Sequence, residues 1–217
     1  VVEVDLPAVC DIKKDALQRL DMLQEREDDT SVYSAIHRTN SHSTYTLIGA
    51  DLQNADDLDP LFERLAEDVP TLVLSELVVS YINPDACDDI LRRCEARRNY
   101  SIVLYEPLGP DPGKQSVLEA YKQSYCTQFQ AKLQRGSSDS IPSFFPIGKS
   151  SKDVQDRLRK AGFEDAHVAT AWTASSKYDF TSQELFDEHA ALLLHLQSYC
   201  VAFASSSSCS LLRRSLC

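Results

Sequence analysis

A short apolar strand that leads directly into an acid and then into a helix start constrains this chain more than any other stretch. It spans Pro70–Pro84 and reads PTLVLSELVVSYINP. Within it, Leu72–Leu74 form a continuous apolar run, which is typical of a strand buried on both faces of a parallel sheet. Asn83-Pro84 has the residue types favoured at the N-cap and first position of a helix. Ligands of open α/β sheets bind beyond the carboxyl ends of strands, so we expect Glu76 and Tyr81 to line a crevice there.

Short apolar runs alternate with segments of helical spacing along the rest of the chain. Apolar residues at helical spacing predict helices in most of the intervals between the runs, including 8–24 and 117–133. Strands separated by such helices indicate βαβ units that close onto a parallel sheet. The predicted fold class is therefore α/β. Besides Leu72–Leu74, the predicted strands are Val1–Val4, Tyr45–Ala50, Ser101–Tyr105, Phe163–Trp172 and Tyr199–Ala204.

Three segments depart from this alternation. Residues 25–44 are polar and are predicted to form a surface loop with at most a short strand. The segment 136–148 places Phe144-Phe145 among prolines, which is compatible with a lid over a ligand and, more commonly, with filling a gap between helices. Residues 205–217 are serine-rich and are predicted to form a flexible tail, so that one domain covers residues 1–204.

The charge balance and the hydropathy pattern limit the partners. A formal net charge of −11 argues against a nucleic-acid-binding surface, because phosphate binding requires clustered Lys and Arg. No apolar run approaches the 18 residues of a membrane span, and the N-terminus lacks a signal-peptide layout. We therefore expect a soluble, cytoplasmic monomer. The sole methionine is Met22 and Val1 begins within a predicted strand, so we interpret the chain as N-terminally truncated.

Several common kinds of site have no sequence signature here. The seven cysteines show no CxxC or comparable spacing, so no metal site is expected. Cys87 and Cys94 stand seven residues apart on one predicted helix, where we expect them to pack as small hydrophobic side chains. The five histidines form no HExxH pattern and no serine lies in a GxSxG turn, which argues against a metalloprotease or a hydrolase triad.

Four acids share one kind of position in the predicted sheet. Asp5, Asp51, Glu76 and Glu106 each lie at, or just after, the carboxyl end of a predicted strand. Four acids on one sheet edge would form a ligand crevice, although a carboxylate there can also cap the following helix. A carboxylate can accept hydrogen bonds from two neighbouring ribose hydroxyls, so dinucleotides and adenosyl cofactors both fit. The chain contains neither GxGxxG nor GxxxxGK[ST], the glycine-rich turns that would separate these ligands.

Five motifs occur in order along residues 1–204. They are VEVDLP (2–7) with Lys13, LIGADL (47–52), PTLVLSE (70–76) running to Tyr81, Tyr105-Glu106, and FDE (186–188) with Tyr199-Cys200. Together these motifs resemble the leucine carboxyl methyltransferase family. The resemblance implies a Rossmann-like class I methyltransferase sheet, mostly parallel with an antiparallel C-terminal part, that lacks its first strand in this chain. Such enzymes use S-adenosyl-L-methionine to methylate the C-terminal leucine carboxylate of the type 2A protein phosphatase catalytic subunit, a form of phosphatase regulation. A close relative methylates a carboxyl group of a wybutosine-type tRNA base.

The resemblance implies roles for five residues of this chain. Asp5 would bind the ribose of the cofactor, and Asp51 with the backbone of Leu52 would hold the adenine. Glu76 would line the cofactor pocket near the methionine end, whereas Tyr81 would point toward the substrate carboxylate. No catalytic side chain is implied, because a carboxylate is already ionised at neutral pH and needs no general base.

Two departures from the family pattern leave other functions open. The family's glycine-containing loop and N-terminal basic residues would precede Val1, and Pro107–Pro110 differs from the usual continuation of the fourth motif. A nicotinamide-dependent oxidoreductase would use the same Asp5. A catalytically inert interaction module is the other alternative, which the truncated N-terminus favours.

Overall fold

The chain divides into two compact units, each with its own four-stranded sheet. The units are Val1–Ala66 and Glu67–Cys217. In the part of the chain that the structure describes, no helix is long and apolar enough to cross a membrane. The computed structural model describes residues 1–21, 23–24, 32–36, 44–65, 69–97, 99–136, 144–177 and 189–206.

The first unit combines one parallel strand pair with an antiparallel extension. Its strands lie in the order β1-β4-β3-β2, in which β1 pairs parallel with β4 and the other neighbours are antiparallel. Asp5 is in register with Gly49, so β1 and β4 end at the same edge of the sheet. The elements are β1 (Val2–Asp5), α1 (Pro7–Arg19), β2 (Leu23–Gln24), β3 (Val32–Ile36), β4 (Thr44–Gly49) and α2 (Ala55–Arg64).

Local sequence explains the helices of this unit. Pro7 occupies the start of α1, where its fixed φ is favourable and no backbone donor is needed. The Asn54 side chain accepts a hydrogen bond from the Asp56 N–H at 3.1 Å and so caps α2. Leu47 of β4 and Leu58 of α2 are almost fully buried and belong to the core of the unit.

The interval 25–44, predicted as a surface loop with at most a short strand, contains a short strand where the structure describes it. The strand β3 lies in this interval and pairs antiparallel with β4 over five residues, while β2 lies just before the interval and pairs with β3. Residues 25–31 and 37–43 lie outside the described residues. The strand β3 is itself mostly apolar, and the polar residues on either side of it made the interval resemble a loop. The predicted helix 8–24 is also shorter, since α1 ends at Arg19.

The second unit has one parallel pair and an antiparallel C-terminal part, as predicted. Its strand order is β5-β6-β8-β7, in which β5 and β6 are parallel and β8 is antiparallel to both of its neighbours. A one-turn 3-10 helix, Val79–Tyr81, follows β5. The other elements are β5 (Thr71–Glu76), α3 (Pro84–Glu95), β6 (Tyr100–Pro107), α4 (Val117–Gly136), α5 (Ser151–Lys160), β7 (Asp165–Thr170), α6 (Ala171–Lys177), α7 (His189–Gln197) and β8 (Tyr199–Ser205).

The helix α3 forms as the sequence predicts and buries its cysteines. The Asn83 side chain accepts a hydrogen bond from the Ala86 N–H at 2.9 Å, with Pro84 in the first turn. Cys87 and Cys94 are buried on the inner face of this helix. Burial raises the pKa of Cys87 to about 11 and that of Cys94 to about 12, so both thiols stay protonated at neutral pH. They pack as small hydrophobic side chains, as expected.

The strand β5 is not buried on both faces, which corrects the prediction from Pro70–Pro84. Leu72 and Leu74 are 59% and 68% exposed, whereas the alternate Ser75 is buried. The strand lies at the edge of its sheet and pairs only with β6 among the described strands. A continuous apolar run does not reveal which of its alternate residues face a covering layer.

Two predictions near the C-terminus have different outcomes. The strand predicted over Phe163–Trp172 is β7, which ends at Thr170, and Trp172 lies in α6 instead. Of the predicted flexible tail 205–217, Ser205 belongs to β8 and both Ser205 and Ser206 are buried, whereas residues 207–217 lie outside the described residues. The FDE motif (186–188) also lies outside them.

Candidate functional site

In the first unit, Asp5 lies at the carboxyl end of β1 and is oriented by two donors. Its Oδ1 accepts a hydrogen bond from the Leu6 N–H at 2.8 Å, and its Oδ2 accepts one from the Lys13 Nζ at 2.8 Å. The Asp5 side chain is 34% exposed. Each carboxylate oxygen can accept two hydrogen bonds, so both oxygens keep capacity for a ligand hydroxyl.

Glu3, Lys13 and Tyr45 form a polar cluster beside Asp5. Lys13 Nζ also donates to Glu3 Oε1, and the Tyr45 hydroxyl donates to Glu3 Oε2. The hydrogen bonds from Lys13 and Tyr45 lower the pKa of Glu3, and those to Asp5 and Glu3 raise the pKa of Lys13. Burial and the bond to Glu3 raise the pKa of Tyr45 to about 12. At neutral pH the cluster therefore holds a charged lysine between two acids.

Asp51 follows β4 at the same sheet edge and begins the turn into α2. Its N–H donates to Asp57 Oδ2 at 2.8 Å, and its Oδ1 accepts from the Gln53 N–H at 3.0 Å. The Ala50 N–H donates to the Asp5 carbonyl oxygen at 2.9 Å, which ties the two strand ends together. The Leu52 N–H donates to no acceptor among the described residues. This edge thus presents two carboxylates and a backbone donor.

In the second unit, Glu76 lies at the carboxyl end of β5 and is exposed. It is in register with Tyr105 of the parallel strand β6. Burial raises the pKa of Tyr105, and the nearby Glu76 charge raises it further, so the phenol is a hydrogen-bond donor at neutral pH. The exposed Glu76 is available to a ligand at this edge.

Of the four acids predicted to form one ligand crevice, Glu106 does not line it. Asp5 and Asp51 belong to one sheet, and Glu76 and Glu106 to the other. Glu106 is fully buried, and its carboxylate accepts five hydrogen bonds from Ser75 and the turn after Glu76. Burial raises the pKa of Glu106, and these hydrogen bonds oppose that increase. Glu106 is therefore engaged within the fold rather than lining a crevice.

Tyr81 ends the 3-10 helix and contacts a second aromatic ring. Its ring lies edge-on to that of Phe144, with centroids 5.8 Å apart. The Phe144 N–H donates to Gln130 Oε1 at 2.8 Å, and the Phe145 N–H donates to the Ser80 carbonyl at 2.7 Å. Burial raises the pKa of Tyr81, which keeps its hydroxyl protonated at neutral pH. Neither the lid nor the gap-filling interpretation anticipated this contact.

Sequence reasoning missed an aromatic cluster centred on Tyr199 of β8. The Tyr105 ring stacks on the Tyr199 ring with centroids 5.2 Å apart, and the His195 ring lies 4.6 Å from it. Tyr125 meets Tyr199 edge-on at 5.7 Å, and the two hydroxyls are hydrogen-bonded. Burial lowers the pKa of His195, so it is neutral at pH 7. The only local signal was the i, i+4 spacing of Tyr121 and Tyr125 on α4, and it does not reveal the partner strand.

Sequence comparisons connect this geometry to a known family. The family model for leucine carboxyl methyltransferase matches residues 1–95, which include Asp5, Asp51, Glu76 and Tyr81. Leucine carboxyl methyltransferase 1 of Caenorhabditis elegans is 25% identical over 177 residues, and that of Yarrowia lipolytica is 27% identical over 221 residues. Residues 1–95 of the chain are therefore similar to the leucine carboxyl methyltransferase family.

Relative to these leucine carboxyl methyltransferases, the chain is short. The alignment to the Caenorhabditis elegans protein covers 77% of this chain and 48% of that protein, and the alignment to the Yarrowia lipolytica protein covers 94% and 60%. The chain therefore spans about half the length of the curated relatives it matches.

Solved structures show the fold. The S-adenosylmethionine-dependent methyltransferase SibL, in its apo form, is 12% identical with a TM-score of 0.50, over 95% of this chain and 43% of that one. An O-methyltransferase family protein from Burkholderia thailandensis is 10% identical with a TM-score of 0.51, at the same two coverages. The predicted Rossmann-like class I methyltransferase fold is thereby confirmed.

Proposed function

We propose that this chain belongs to an enzyme that transfers a methyl group from S-adenosyl-L-methionine to the C-terminal leucine carboxylate of a protein, the type 2A protein phosphatase catalytic subunit. The observation that carries the proposal is the family match to residues 1–95, since all five residues assigned to the site lie within it. They are Asp5, Asp51, Leu52, Glu76 and Tyr81.

The residues of the first unit suit an adenosine group. Asp5 keeps acceptor capacity on both oxygens, as two ribose hydroxyls require. At the same edge, the Leu52 N–H is a donor without an acceptor among the described residues and Asp51 supplies a carboxylate, which together suit the ring nitrogens and the amino group of adenine. In the second unit, the exposed Glu76 carboxylate suits the ammonium group at the methionine end.

The chemistry requires little from the protein beyond binding and alignment. When bound, S-adenosylmethionine supplies a methyl group on a positively charged sulfur, which a carboxylate oxygen can take in one displacement. Tyr81 would donate a hydrogen bond to the second oxygen of that carboxylate and hold it in line. No side chain needs to remove a proton, because the carboxylate is ionised at neutral pH. Alignment of this kind can supply roughly 7–11 kcal/mol of the barrier reduction.

The charge of the chain favours a protein substrate over a tRNA. With a net charge of −11, the chain would repel the phosphate backbone, whereas a protein C-terminus presents one carboxylate. We place the reaction in the cytoplasm and expect the enzyme to act as a monomer.

The test is a transfer assay with this chain and labelled S-adenosylmethionine. The acceptors are a peptide that ends in a free leucine carboxylate, the same peptide with a C-terminal amide, and bulk tRNA. We expect label on the free-acid peptide alone, because the amide offers no carboxylate. Transfer to tRNA, or binding of a nicotinamide cofactor in place of S-adenosylmethionine, would overturn the proposal, and so would the absence of transfer to all three acceptors.

A further inference from the structure

We infer that Glu106 is a positioning residue that fixes Tyr81 and Phe144 in their present arrangement. The role in turnover rests on the proposed function, whereas the structural part stands on contacts within the second unit. Glu106 lies at the end of β6 and is 0% exposed. Because burial of an unpaired carboxylate would cost free energy, its buried position depends on hydrogen-bond partners.

Glu106 forms a hydrogen-bonded clamp on the turn after β5. Its Oε1 accepts from Ser75 Oγ at 3.1 Å, the Val78 N–H at 3.0 Å and the Val79 N–H at 3.2 Å. Its Oε2 accepts from the Ser80 N–H at 3.3 Å and Ser80 Oγ at 2.7 Å. Three consecutive backbone donors and two hydroxyls thus converge on one carboxylate, which satisfies the first turn of the 3-10 helix.

This turn contains a residue in an unfavourable backbone conformation, which the surrounding contacts must stabilise. Leu77, between Glu76 and Val78, has a φ of +54°, in the left-handed region that a branched side chain rarely adopts. A strained residue of this kind persists only when its surroundings over-determine it. The Leu77 N–H bond to the Tyr105 carbonyl at 3.0 Å fixes one side of the turn, and Glu106 fixes the other.

Ser80 connects the clamp to the aromatic pair of Tyr81 and Phe144. Ser80, which gives Glu106 two hydrogen bonds, accepts one from the Phe145 N–H through its carbonyl oxygen. Phe144 then packs against Tyr81, the residue after Ser80. Through the hydrogen bonds of Ser80, Glu106 therefore stabilises both segments that carry the aromatic pair.

A carboxylate suits this position better than its amide. All five partners of Glu106 are donors in this geometry, and a carboxylate only accepts. The amide of Glu106→Gln would turn an NH₂ group toward one set of donors and lose either the Ser80 N–H bond or those of Val78 and Val79. Because the volume is unchanged, this variant tests the hydrogen bonds rather than the packing.

The experiment compares amide hydrogen exchange in this chain with that of Glu106→Gln. We expect amides in peptides 77–82 and 144–148 to exchange roughly ten- to hundredfold faster in the variant, while peptides in 199–205 keep wild-type protection. Glu164→Gln, an exposed position in the same unit, is the charge-matched control and should change neither segment. Equal loss in all peptides, or no change in 77–82 and 144–148, would overturn the inference.

A second variant covers the case in which Glu106→Gln does not fold. Ser80→Ala removes only the hydroxyl bond, so it should accelerate the same two segments by a smaller factor. If Ser80→Ala leaves both segments unchanged, the clamp does not position them.

The catalytic readout separates positioning from a role in stability alone. We expect the variants to lower kcat for the leucine peptide roughly tenfold with cofactor affinity within about twofold. Locally faster exchange with an unchanged kcat would overturn the role in turnover. If the wild-type chain transfers no methyl group, the proposed function fails, and the exchange data still decide whether Glu106 is the clamp.

Discussion

The Nζ atom of Lys13 lies 2.8 Å from Oδ2 of Asp5 and also donates to Glu3. A helix residue thus holds the strand-end acid in one orientation. Two acceptor positions on Asp5 remain available to a ligand, because one lone pair on each oxygen is already used. The fold therefore orients Asp5, the residue proposed to bind the ribose, before the ligand arrives, which reduces the entropy lost on binding.

Asp5→Ala is expected to lower S-adenosylmethionine affinity by at least roughly hundredfold while the fold remains intact. Two hydrogen bonds to a charged acceptor contribute about 1.5–3 kcal/mol each. The partly exposed ion pair with Lys13 contributes about 0–1 kcal/mol to stability, so unfolding should change little. Calorimetric titration checks the affinity, and Asp15→Ala, at an exposed position on α1, is the matched control. Unchanged affinity in Asp5→Ala would remove Asp5 from the site.

The Glu3–Lys13 pair predicts a pH window for stability. The folded-state pKa of Glu3 is lowered, so its contribution is present above its ordinary value of 4.5 and is lost as the pH falls through the lower value. The folded-state pKa of Lys13 is raised, so its contribution is present below 10.5 and is lost as the pH rises through the higher value. The destabilisation caused by Lys13→Met should therefore be greatest between these limits and decline on both sides.

Urea unfolding of the wild-type chain and Lys13→Met across this pH range measures the difference. Lys14→Met, one position along the same helix, controls for the loss of one positive charge. A difference that increases as the pH falls below 4.5 would contradict the assignment of Glu3 as the partner that titrates.

The positions of Asp5, Asp51, Glu76 and α3 could be predicted because local signals determine them. Each of these acids follows a short apolar run, and the Asn83-Pro84 pair carries its own helix-start chemistry. Such signals involve residues within a few positions of each other. They are therefore readable from the chain without knowledge of its partners.

The burial of Glu106 and the Tyr199 cluster could not be predicted, because both depend on distant partners. In the sequence, 26 to 28 residues separate Glu106 from the residues whose backbone N–H groups donate to it, and 74 residues separate Tyr125 from Tyr199. The local sequence of a glutamate at a strand end is the same whether a turn from elsewhere in the chain covers its side chain or leaves it exposed to solvent. Only the tertiary structure distinguishes Glu106 from the exposed Glu76.

Tyr81→Phe should lower methyl transfer more than cofactor affinity. The variant keeps the ring that packs on Phe144 and removes only the hydroxyl, which we assign to the substrate carboxylate. Loss of one charge-assisted hydrogen bond costs about 1.5–3 kcal/mol, or roughly a ten- to hundredfold fall in kcat/KM.

Steady-state kinetics with the leucine peptide and a cofactor titration provide the two measurements. Tyr100→Phe, at the opposite end of β6, is the matched loss of a phenol and should leave kcat unchanged. Equal losses of turnover and of cofactor affinity in Tyr81→Phe, or no loss in either, would show that Tyr81 does not contact the substrate.

The last prediction uses two leucines on adjacent parallel strands. Leu74 of β5 is 68% exposed, whereas Leu104 of β6 is fully buried. Leu104→Ala should lower the free energy of unfolding by about 2–5 kcal/mol, because it removes packed atoms and leaves a cavity. Leu74→Ala should cost within about 0.5 kcal/mol, since its side chain contacts mostly solvent. Denaturant unfolding of both variants measures the difference. Comparable costs would mean that the outer face of β5 is covered in solution, and that the sequence prediction of a fully buried strand was correct after all.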